Sequence, residues 1–436
     1  MAKVDEPAPG VSKEEERSEE AAEASAELAV SPELVAGSVS EYLRASFARI
    51  RAGDTGILPV VGGLLLVSII FQSLNSHFLT AANLVNLLLQ AAVFSVLAMG
   101  EVYALLLGEI DLSIGFVGIG IGGTVLVELL KPSGADWPWW AAIAVALLAC
   151  ALIGLLQGSI ITRIGLPSFV VTLAGLLFWQ GVMLKILGNG GSILISDPIV
   201  IDIASGNLTP LASWIVVLVI VGLFGVMTWR RDARRRAAGL VAPPPGLTAA
   251  KIVGVLIGGV ALVLLCNADR GRLVPIRGVP WVVLVVFGVL ALWTFVLGRT
   301  RFGRYIYAIG GNAEAARRAG VNLARIRTLA FMLCSLTAGI AGVIYVSRLR
   351  SISTSVDGGT LVLYAVAAAV IGGTSLFGGR GKAVHGVLGG IVIAAIDNGM
   401  GLLGFDASTK YMVTAIVLLA AVTIDAVARR GRVAGR

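Results

Sequence analysis

Long apolar runs separated by short polar or basic segments dominate the chain from residue 57 onwards. A helix needs about 20 apolar residues to cross a hydrocarbon core about 30 Å thick. The pattern therefore predicts an all-α polytopic integral membrane protein with about 12 spans, or as few as about 10 if some are broken or re-entrant. The candidate spans are Ile57–Gln72, Leu84–Leu107, Ile114–Leu130, Trp139–Ile160, Ser168–Leu187, Leu211–Trp229, Ile252–Cys266, Trp281–Leu297, Ile326–Val346, Thr360–Phe377, Val384–Leu403 and Tyr411–Val427.

The composition agrees with this pattern. Hydrophobic residues make up 57% of the chain and charged residues only 14%, against about 25% charged residues in a typical soluble protein. The 55 glycines suit membrane helices, because small side chains allow helices to approach closely. Small residues recur four apart, which predicts tight helix contacts at the pairs Gly118/Gly122, Gly154/Gly158 and Ala338/Gly342.

Charge is distributed unevenly between the two ends of the chain. The first 54 residues hold 12 acidic and 6 basic side chains, which makes this segment net −6 and leaves the remainder net +14. We expect residues 1–54 to form an acidic, largely disordered tail, residues 55–430 a transmembrane domain, and residues 431–436 a basic tail. No cleavable signal is visible, so the first apolar run is expected to act as an uncleaved anchor.

The basic loops orient the predicted spans. Trp229–Arg236 reads WRRDARRR, and Gly298–Arg327 carries seven arginines. Positively charged loops favour the cytoplasmic side, which places both termini in the cytoplasm. This charge suits anionic membrane lipid rather than nucleic acid, so the expected location is the cell (inner) membrane.

Two carboxylates, Glu109 and Asp111, lie between two apolar runs. A charge at the bilayer centre costs about 2.5–3.5 kcal/mol, so this stretch either lines a wet cavity or forms a turn at the membrane surface. The predicted topology favours a break between helices, in which deep burial of both charges is not expected. Asp111 or Ser113 would then cap the glycine-rich helix that follows.

Other polar side chains fall within or beside the apolar runs. Hydroxyl, amide and carboxylate groups suit a sugar substrate, but each also serves as a hydrogen-bonding contact between helices, and the acids suit a proton relay. The candidates for a substrate path are Glu109, Asp111, Ser113, Ser168, Thr172, Gln180, Asp397 and Asn398, with Glu101 and Lys185 as further polar residues.

Motifs for enzymatic chemistry are missing from the sequence. The phosphate-binding pattern GxxxxGK[ST] fails at Gly381-Lys382, because Leu376 occupies its first glycine position and Ala383 replaces its hydroxyl residue. No metal-protease, serine-hydrolase or dinucleotide fingerprint occurs, and the three cysteines lie far apart. We therefore expect no enzyme acting alone, no catalytic residue, no metal site and no ATP hydrolysis by this chain.

The arginine-rich segment 301–327 contains the signals of a short helix. Asn312 is suited to cap a helix that begins at Ala313, and Gly320 is suited to end it. A capped helix between two spans favours docking of a soluble partner. The alternative is an ordinary solvated loop.

Five segments in the same order resemble the sugar permease subunits of bacterial ABC importers, the ribose, arabinose, galactose and xylose branch of the binding-protein-dependent permeases. The resemblance covers roughly residues 55 to 430. Its segments read EIDLSIG (Glu109–Gly115), LPSFVVTLAGLLFWQG (Leu166–Gly181), GRYIYAIGGNAEAARRAGVN (Gly303–Asn322), VIGGTSLFGGRG (Val370–Gly381) and AAIDNGM (Ala394–Met400).

The resemblance implies a transport mechanism and a set of partners. Two permease subunits, expected here as a homodimer, form the path for a monosaccharide. A separate ABC ATPase subunit binds the cytoplasmic face and carries ATP and Mg²⁺, an extracytoplasmic sugar-binding protein delivers the solute, and this chain binds no cofactor. The resemblance assigns ATPase coupling to Gly310, Gly311, Asn312, Glu314, Ala315, Ala316, Arg317 and Gly320.

Within this branch the chain looks most like the D-xylose permeases. An extra pair of spans between Trp229 and Arg301 points to them, as does Glu109, where the ribose-type pattern favours glycine. Glu101 departs from the pattern, which usually has a small or apolar residue there. The alternatives are a relative that carries ribose, galactose or a nucleoside, and a proton-coupled secondary transporter.

Overall fold

The computed structural model describes Arg44, residues 58–188, 191–271 and 274–416, Leu419 and Thr423. Apart from Arg44, the predicted tails 1–54 and 431–436 lie outside these residues, and so does most of the predicted last span beyond residue 416. Helices account for nearly all of the regular structure in the described part of the chain. The only strands there are β1 (Ser192–Leu194) and β2 (Ser351–Ser353), which pair antiparallel.

The helices follow the apolar pattern closely, and a π-helical segment (Phe116–Gly122) precedes α3. In chain order they are α1 (Leu58–Leu74), α2 (Ala81–Leu106), α3 (Gly123–Leu130), α4 (Trp139–Ile164), α5 (Ser168–Leu187), α6 (Pro198–Ser205), α7 (Pro210–Ala237), α8 (Pro245–Asn267), α9 (Trp281–Arg299), α10 (Arg301–Gly311), α11 (Ala313–Arg318), α12 (Leu323–Leu349), α13 (Gly358–Ile371) and α14 (Ala383–Leu402).

Eight of the described helices are long and apolar enough to cross a membrane, namely α2, α4, α5, α7, α8, α9, α12 and α14. Three shorter apolar helical segments, Pro59–Leu74, Phe116–Leu130 and Gly358–Ile371, coincide with further predicted spans. The all-α polytopic fold expected from the sequence is therefore confirmed.

The chain divides into two compact units. The larger comprises Gly56–Trp214 and Leu262–Asp425. Its core is built on α2, α12 and α14, in which most of the apolar stretch is buried, and α4 packs along α12. In the smaller unit the structure describes Arg44 and Ile215–Ala261. The second range contains parts of α7 and α8, which run antiparallel, since Gly225 faces Ile252 and Gly259 faces Val217.

Close approach of small residues holds the larger unit together, as the four-residue spacing predicts. A Cβ added to Gly118 would lie 2.3 Å from the main-chain oxygen of Ala338, and one added to Gly342 would lie 2.1 Å from that of Gly118. A Cβ added to Gly154 would lie 2.4 Å from the oxygen of Phe331. Only glycine allows the backbones to approach to this distance, so these contacts fix the packing of the π-helical segment and α4 against α12.

Candidate functional site

A buried polar cluster lies where α2 ends and the chain turns toward the π-helical segment. Glu101, on α2, and Asp111, in the turn, are both completely buried. The main-chain N–H of Asp111 donates to Oε1 of Glu101 at 3.1 Å. Cys334 on α12 lies with its Sγ 3.9 Å from Oε2 of the same carboxyl group. Three separate parts of the chain thus meet at Glu101.

Asp111 is held by the serine two residues further on. Its Oδ1 accepts hydrogen bonds from the main-chain N–H of Ser113 at 2.9 Å and from the Ser113 hydroxyl at 2.6 Å. The Ser113 hydroxyl also lies 2.9 Å from the side-chain oxygen position of Gln157 on α4. Since a hydroxyl has one proton, both contacts are satisfied when the Gln157 amide is rotated so that its N–H donates to Ser113.

The structure corrects one expectation about this turn. The chain does break between helices after α2, as predicted, but Asp111 is completely buried rather than placed in a turn at the surface. Its carboxylate bonds to Ser113 within the turn, and the π-helical segment has no side-chain cap. Sequence reasoning missed this burial because it depends on the packing of α2, α5 and α12 around the turn, which local sequence does not show.

Helix α5 packs against the same turn. The Thr172 hydroxyl, completely buried, lies 2.9 Å from the main-chain oxygen of Ser168 and 3.4 Å from that of Ile110. A Cβ added to Gly175 would lie 2.1 Å from the Gln157 amide, so α5 and α4 are in close contact beside the cluster. Gln180 is half-buried about two turns farther along α5.

Glu109 occupies a different environment from Asp111. Its carboxylate lies 3.7 Å from Nε of Arg327 at the start of α12, and both side chains are partly exposed. The pair borders a cavity of about 400 Å³. The cavity is lined by Glu109, Ile161, Thr162, Gly165, Leu166, Pro167, Ser168, Leu323, Ala324 and Arg327. Carboxylate, guanidinium and hydroxyl groups beside apolar walls are the chemistry that binds a polyol.

The two polar residues near the end of α14 serve separate contacts. The Asn83 side chain on α2 donates from Nδ2 to Oδ1 of Asn398 at 2.8 Å, and both residues are buried. Asp397 accepts from Lys410 at 3.3 Å and is partly exposed. Asn398 is therefore a buried contact between α14 and α2, whereas Asp397 forms an ion pair near the helix surface.

The arginine-rich segment 301–327 forms the short helix that its sequence predicts. Asn312 caps α11 by accepting from the main-chain N–H of Ala315 at 2.9 Å, and Gly320 has a φ of +81° just after its end. Arg317 donates to the Glu314 carboxylate at 2.8 and 2.9 Å, and Arg318 donates at 3.1 Å. These hydrogen bonds lower the pKa of Glu314 from its ordinary value. All three charged side chains are exposed, so α11 presents a charged surface to solvent.

The base of this segment is joined tightly to α2. A Cβ added to Gly310 would lie 1.8 Å from the main-chain oxygen of Leu106, the last residue of α2. The same oxygen accepts from the N–H of Gly379 at 2.9 Å. Tyr307 on α10 donates to the main-chain oxygen of Gly381 at 2.7 Å. We refer to Leu106, Gly310 and Gly379 as the Gly310 junction.

Sequence reasoning missed several members of these groups. Gln157 and Asn83 could have been found from the sequence, because an amide side chain within or beside an apolar span indicates a buried hydrogen bond. Cys334 and Arg327 carry no such signal, because a cysteine in an apolar run is typical of a packed core and an arginine at a span end is typical of a cytoplasmic flank. The structure shows that Cys334 lies against Glu101 and that Arg327 pairs with Glu109.

These features define a multi-pass membrane protein, and the comparison with known proteins agrees. Residues 83–422 match the family described as "Branched-chain amino acid transport system / permease component". The chain belongs to this family. Since its curated relatives include xylose and ribose permeases, it is an ABC-type sugar permease of the inner membrane.

Curated relatives cover nearly the whole chain. The xylose transport system permease protein XylH of Escherichia coli (strain K12) is 33% identical over 385 residues, which are 88% of this chain and 95% of the relative. The protein of the same name from Haemophilus influenzae is 33% identical over 80% of this chain and 90% of its own length. The ribose import permease protein RbsC of Escherichia coli (strain K12) is 30% identical over 83% and 91%, respectively. No solved structure matches the chain.

Proposed function

We propose that the chain forms the translocation path for a monosaccharide, D-xylose, in an importer driven by ATP hydrolysis on a separate subunit. The observation that carries this proposal is the similarity to a xylose permease over 88% of this chain and 95% of that relative, which includes the α7 and α8 region. A polyol-sized cavity beside Glu109 supports it. In this proposal the chain itself is not an enzyme and binds no cofactor, and ATP and Mg²⁺ are bound by the partner ATPase.

The cavity bordered by Glu109 and Arg327 is the part of the proposed path with the best-defined chemistry. A neutral sugar needs hydrogen bonds rather than a counter-charge, and the paired Glu109 and Arg327 supply acceptors and donors without net charge. Ser168 adds a hydroxyl at the cavity wall. The buried side chains of Asp111, Ser113 and Thr172 would then shape the path from behind. Gln180, Asp397 and Asn398 remain predicted members of it.

Coupling to ATP hydrolysis is proposed for α11 and its flanking residues. Here the partner ATPase would bind the exposed charged surface of Glu314 and Arg317, and movement of α11 would reach the end of α2 through the Gly310 junction. A homodimer of this subunit and an extracytoplasmic sugar-binding protein complete the proposed assembly. The proposed domain division remains an acidic tail (1–54), a permease domain (55–430) with the coupling segment 301–327, and a basic tail (431–436).

Uptake by proteoliposomes tests the transport proposal. Vesicles that contain this chain with its ATPase and binding protein should take up D-xylose only when ATP is supplied to the ATPase side, and unlabelled xylose should compete better than ribose. Uptake on a proton gradient alone, without the ATPase, would contradict the proposal and favour a secondary transporter.

Replacement of Glu314 by arginine tests the docking surface. The reversed charge would repel Arg317 and Arg318 and remove the acceptor that orders them, so ATPase co-purification should fall. Asp269→Arg is the matched control, because Asp269 is also a partly exposed acid in an ion pair, with Arg277 at 3.2 Å, but lies outside the coupling segment. Equal ATPase binding by both variants and the parent protein would refute the docking role.

Ribose is the second candidate substrate, because a ribose permease is 30% identical over 83% of the chain. Replacement of Glu109 by glycine distinguishes the two. If Glu109 selects the sugar, the variant should lose its preference for xylose over ribose. An unchanged preference and rate would leave Glu109 as a structural residue only.

A further inference from the structure

An apolar groove runs along the surface between α7 and α8 in the smaller unit. Its volume is about 570 Å³. The groove, called here the α7–α8 groove, is lined by Leu218, Val221, Gly222, Gly225, Val226, Trp229, Arg230, Ile252 and Leu256. Arginine is the only charged residue among them, and it lies at one end. The groove is therefore hydrocarbon-like along its length and cationic at a single end.

Two glycines make the groove. A Cβ added to Gly222 would meet no atom within 4 Å, so this position is open space. Gly225, three residues further on, lies against Ile252 of α8, where an added Cβ would be 3.2 Å from Cγ2. Residues three and four apart share one face of a helix, so the missing side chains leave a continuous furrow rather than separate dimples.

The length of the groove corresponds to one leaflet of a bilayer. From Leu218 to Trp229 a helix rises about 16 Å, and half of the hydrocarbon core is about 15 Å thick. An extended acyl chain therefore suits the length and the apolar lining of this groove.

Of the arginines near the end of the groove, only Arg230 lines it, and its guanidinium is available to a ligand. Arg231 donates to the buried Asp232 at 2.9 Å, so that acid and base neutralise each other. Arg236 donates to the main-chain oxygen of Pro243 at 2.7 Å. Arg230 makes no hydrogen bond or ion pair with another residue in the described part of the chain. It stands next to Trp229, a residue type that prefers the headgroup level of a membrane.

We propose that the α7–α8 groove binds one anionic phospholipid of the cytoplasmic leaflet. An acyl chain lies along Gly222 and Gly225, and the headgroup phosphate accepts hydrogen bonds from Arg230. The basic sequence WRRDARRR places this end of α7 on the side of the membrane where such lipids attract arginine. This site is independent of the transported solute and of the proposed coupling surface.

Lipid binding to the purified full-length protein tests the proposal. The delipidated protein in detergent is titrated with dioleoyl phosphatidylglycerol or with dioleoyl phosphatidylcholine, and bound lipid is counted by native mass spectrometry. One phosphatidylglycerol should bind more tightly than phosphatidylcholine. Arg230→Gln should weaken phosphatidylglycerol binding about tenfold, the change expected for loss of one charge-assisted hydrogen bond. Gly222→Leu, which fills the groove, should weaken binding of both lipids.

Two matched controls separate this site from general attraction to a basic surface. Arg234→Gln removes the same charge from α7 outside the groove, and Gly258→Leu fills an equally open position on α8 that does not line it. Both controls should bind phosphatidylglycerol like the parent protein. Equal loss with Arg234→Gln and Arg230→Gln, or no preference for phosphatidylglycerol in the parent protein, would overturn the proposal. The proposal would also be overturned if Gly222→Leu bound both lipids like the parent protein while keeping the parent's unfolding temperature, which shows that the variant is folded.

Discussion

The main-chain N–H of Asp111 donates a hydrogen bond of 3.1 Å to the carboxylate of Glu101, ten residues earlier in the chain. This contact brings two acidic residues into the same completely buried cluster. It also ties the turn after α2 back onto α2, so the position of Ser113 and of the π-helical segment depends on it. Glu101 is thus a structural residue of this turn.

Replacement of Glu101 tests this role. Glu101→Ala leaves the buried N–H of Asp111 without an acceptor and should cost about 1–3 kcal/mol of stability, with a further cost for the cavity. Glu101→Gln keeps a side-chain oxygen as acceptor and should cost less. Thermal unfolding of the purified protein measures both. Equal melting temperatures for the alanine variant and the parent would show that the contact does not stabilise the turn.

Replacement of Gly310 tests the junction between the coupling segment and α2. A methyl group at Gly310 would lie 1.8 Å from the oxygen of Leu106, so Gly310→Ala must separate the two backbones. Overpacking of this kind costs about 1–3 kcal/mol, and ATP-driven uptake should fall more than ATPase binding. Gly298→Ala is the control, because no atom lies within 4 Å of its added Cβ and Gly298 lies outside the proposed coupling segment 301–327. If the two variants transport equally well, the junction does not transmit movement.

A charge-exchange cycle tests the pairing of Glu109 with Arg327. Glu109→Arg and Arg327→Glu should each reduce uptake, because each leaves two like charges about 4 Å apart at the cavity. The double variant restores the opposite charges and should recover part of the activity. The coupling energy should stay below about 1 kcal/mol, since both side chains are partly exposed to solvent. Additive losses in the double variant would show that the two residues act separately.

The acidity of Glu314 predicts the pH dependence of docking. Hydrogen bonds from Arg317 and Arg318 lower its pKa, so the paired form is favoured above the ordinary glutamate value of about 4.3 and is lost only as pH falls through the lowered pKa. Glu314 therefore stays ionised from about pH 8 to about pH 6, so its titration should not change ATPase binding over this range. Salt should weaken binding, because the pair is exposed. A loss of binding between these pH values that disappears in Glu314→Gln would contradict this assignment.

Much of the architecture was predictable from local patterns. The apolar runs predicted eleven of the helical segments that the structure describes, because hydropathy over about 20 residues reflects the favourable transfer of apolar side chains into lipid. Helix α11 was predictable to its cap, since Asn312 and Gly320 act on neighbouring backbone atoms. The close approach at Gly118 and Gly342 was also predictable, because small residues four apart lie on the same face of a helix.

The arrangement of the candidate sites was less predictable. Glu109 and Asp111 are two residues apart and chemically alike, yet one is partly exposed beside Arg327 and the other is buried with Ser113. Position along the chain does not distinguish them, because the difference arises from which helix each carboxylate faces.

The sequence by itself determined the membrane class, the apolar helices and the capped helix α11, because hydropathy, helix caps and small-residue spacing act over a few turns of chain. Only the tertiary structure decided which polar side chains meet. Asn83 and Asn398 are 315 positions apart and Cys334 and Glu101 are 233 apart, and such pairs form only when α2, α12 and α14 pack. In a protein interior each buried polar atom needs a specific partner, and the packing of distant helices selects it.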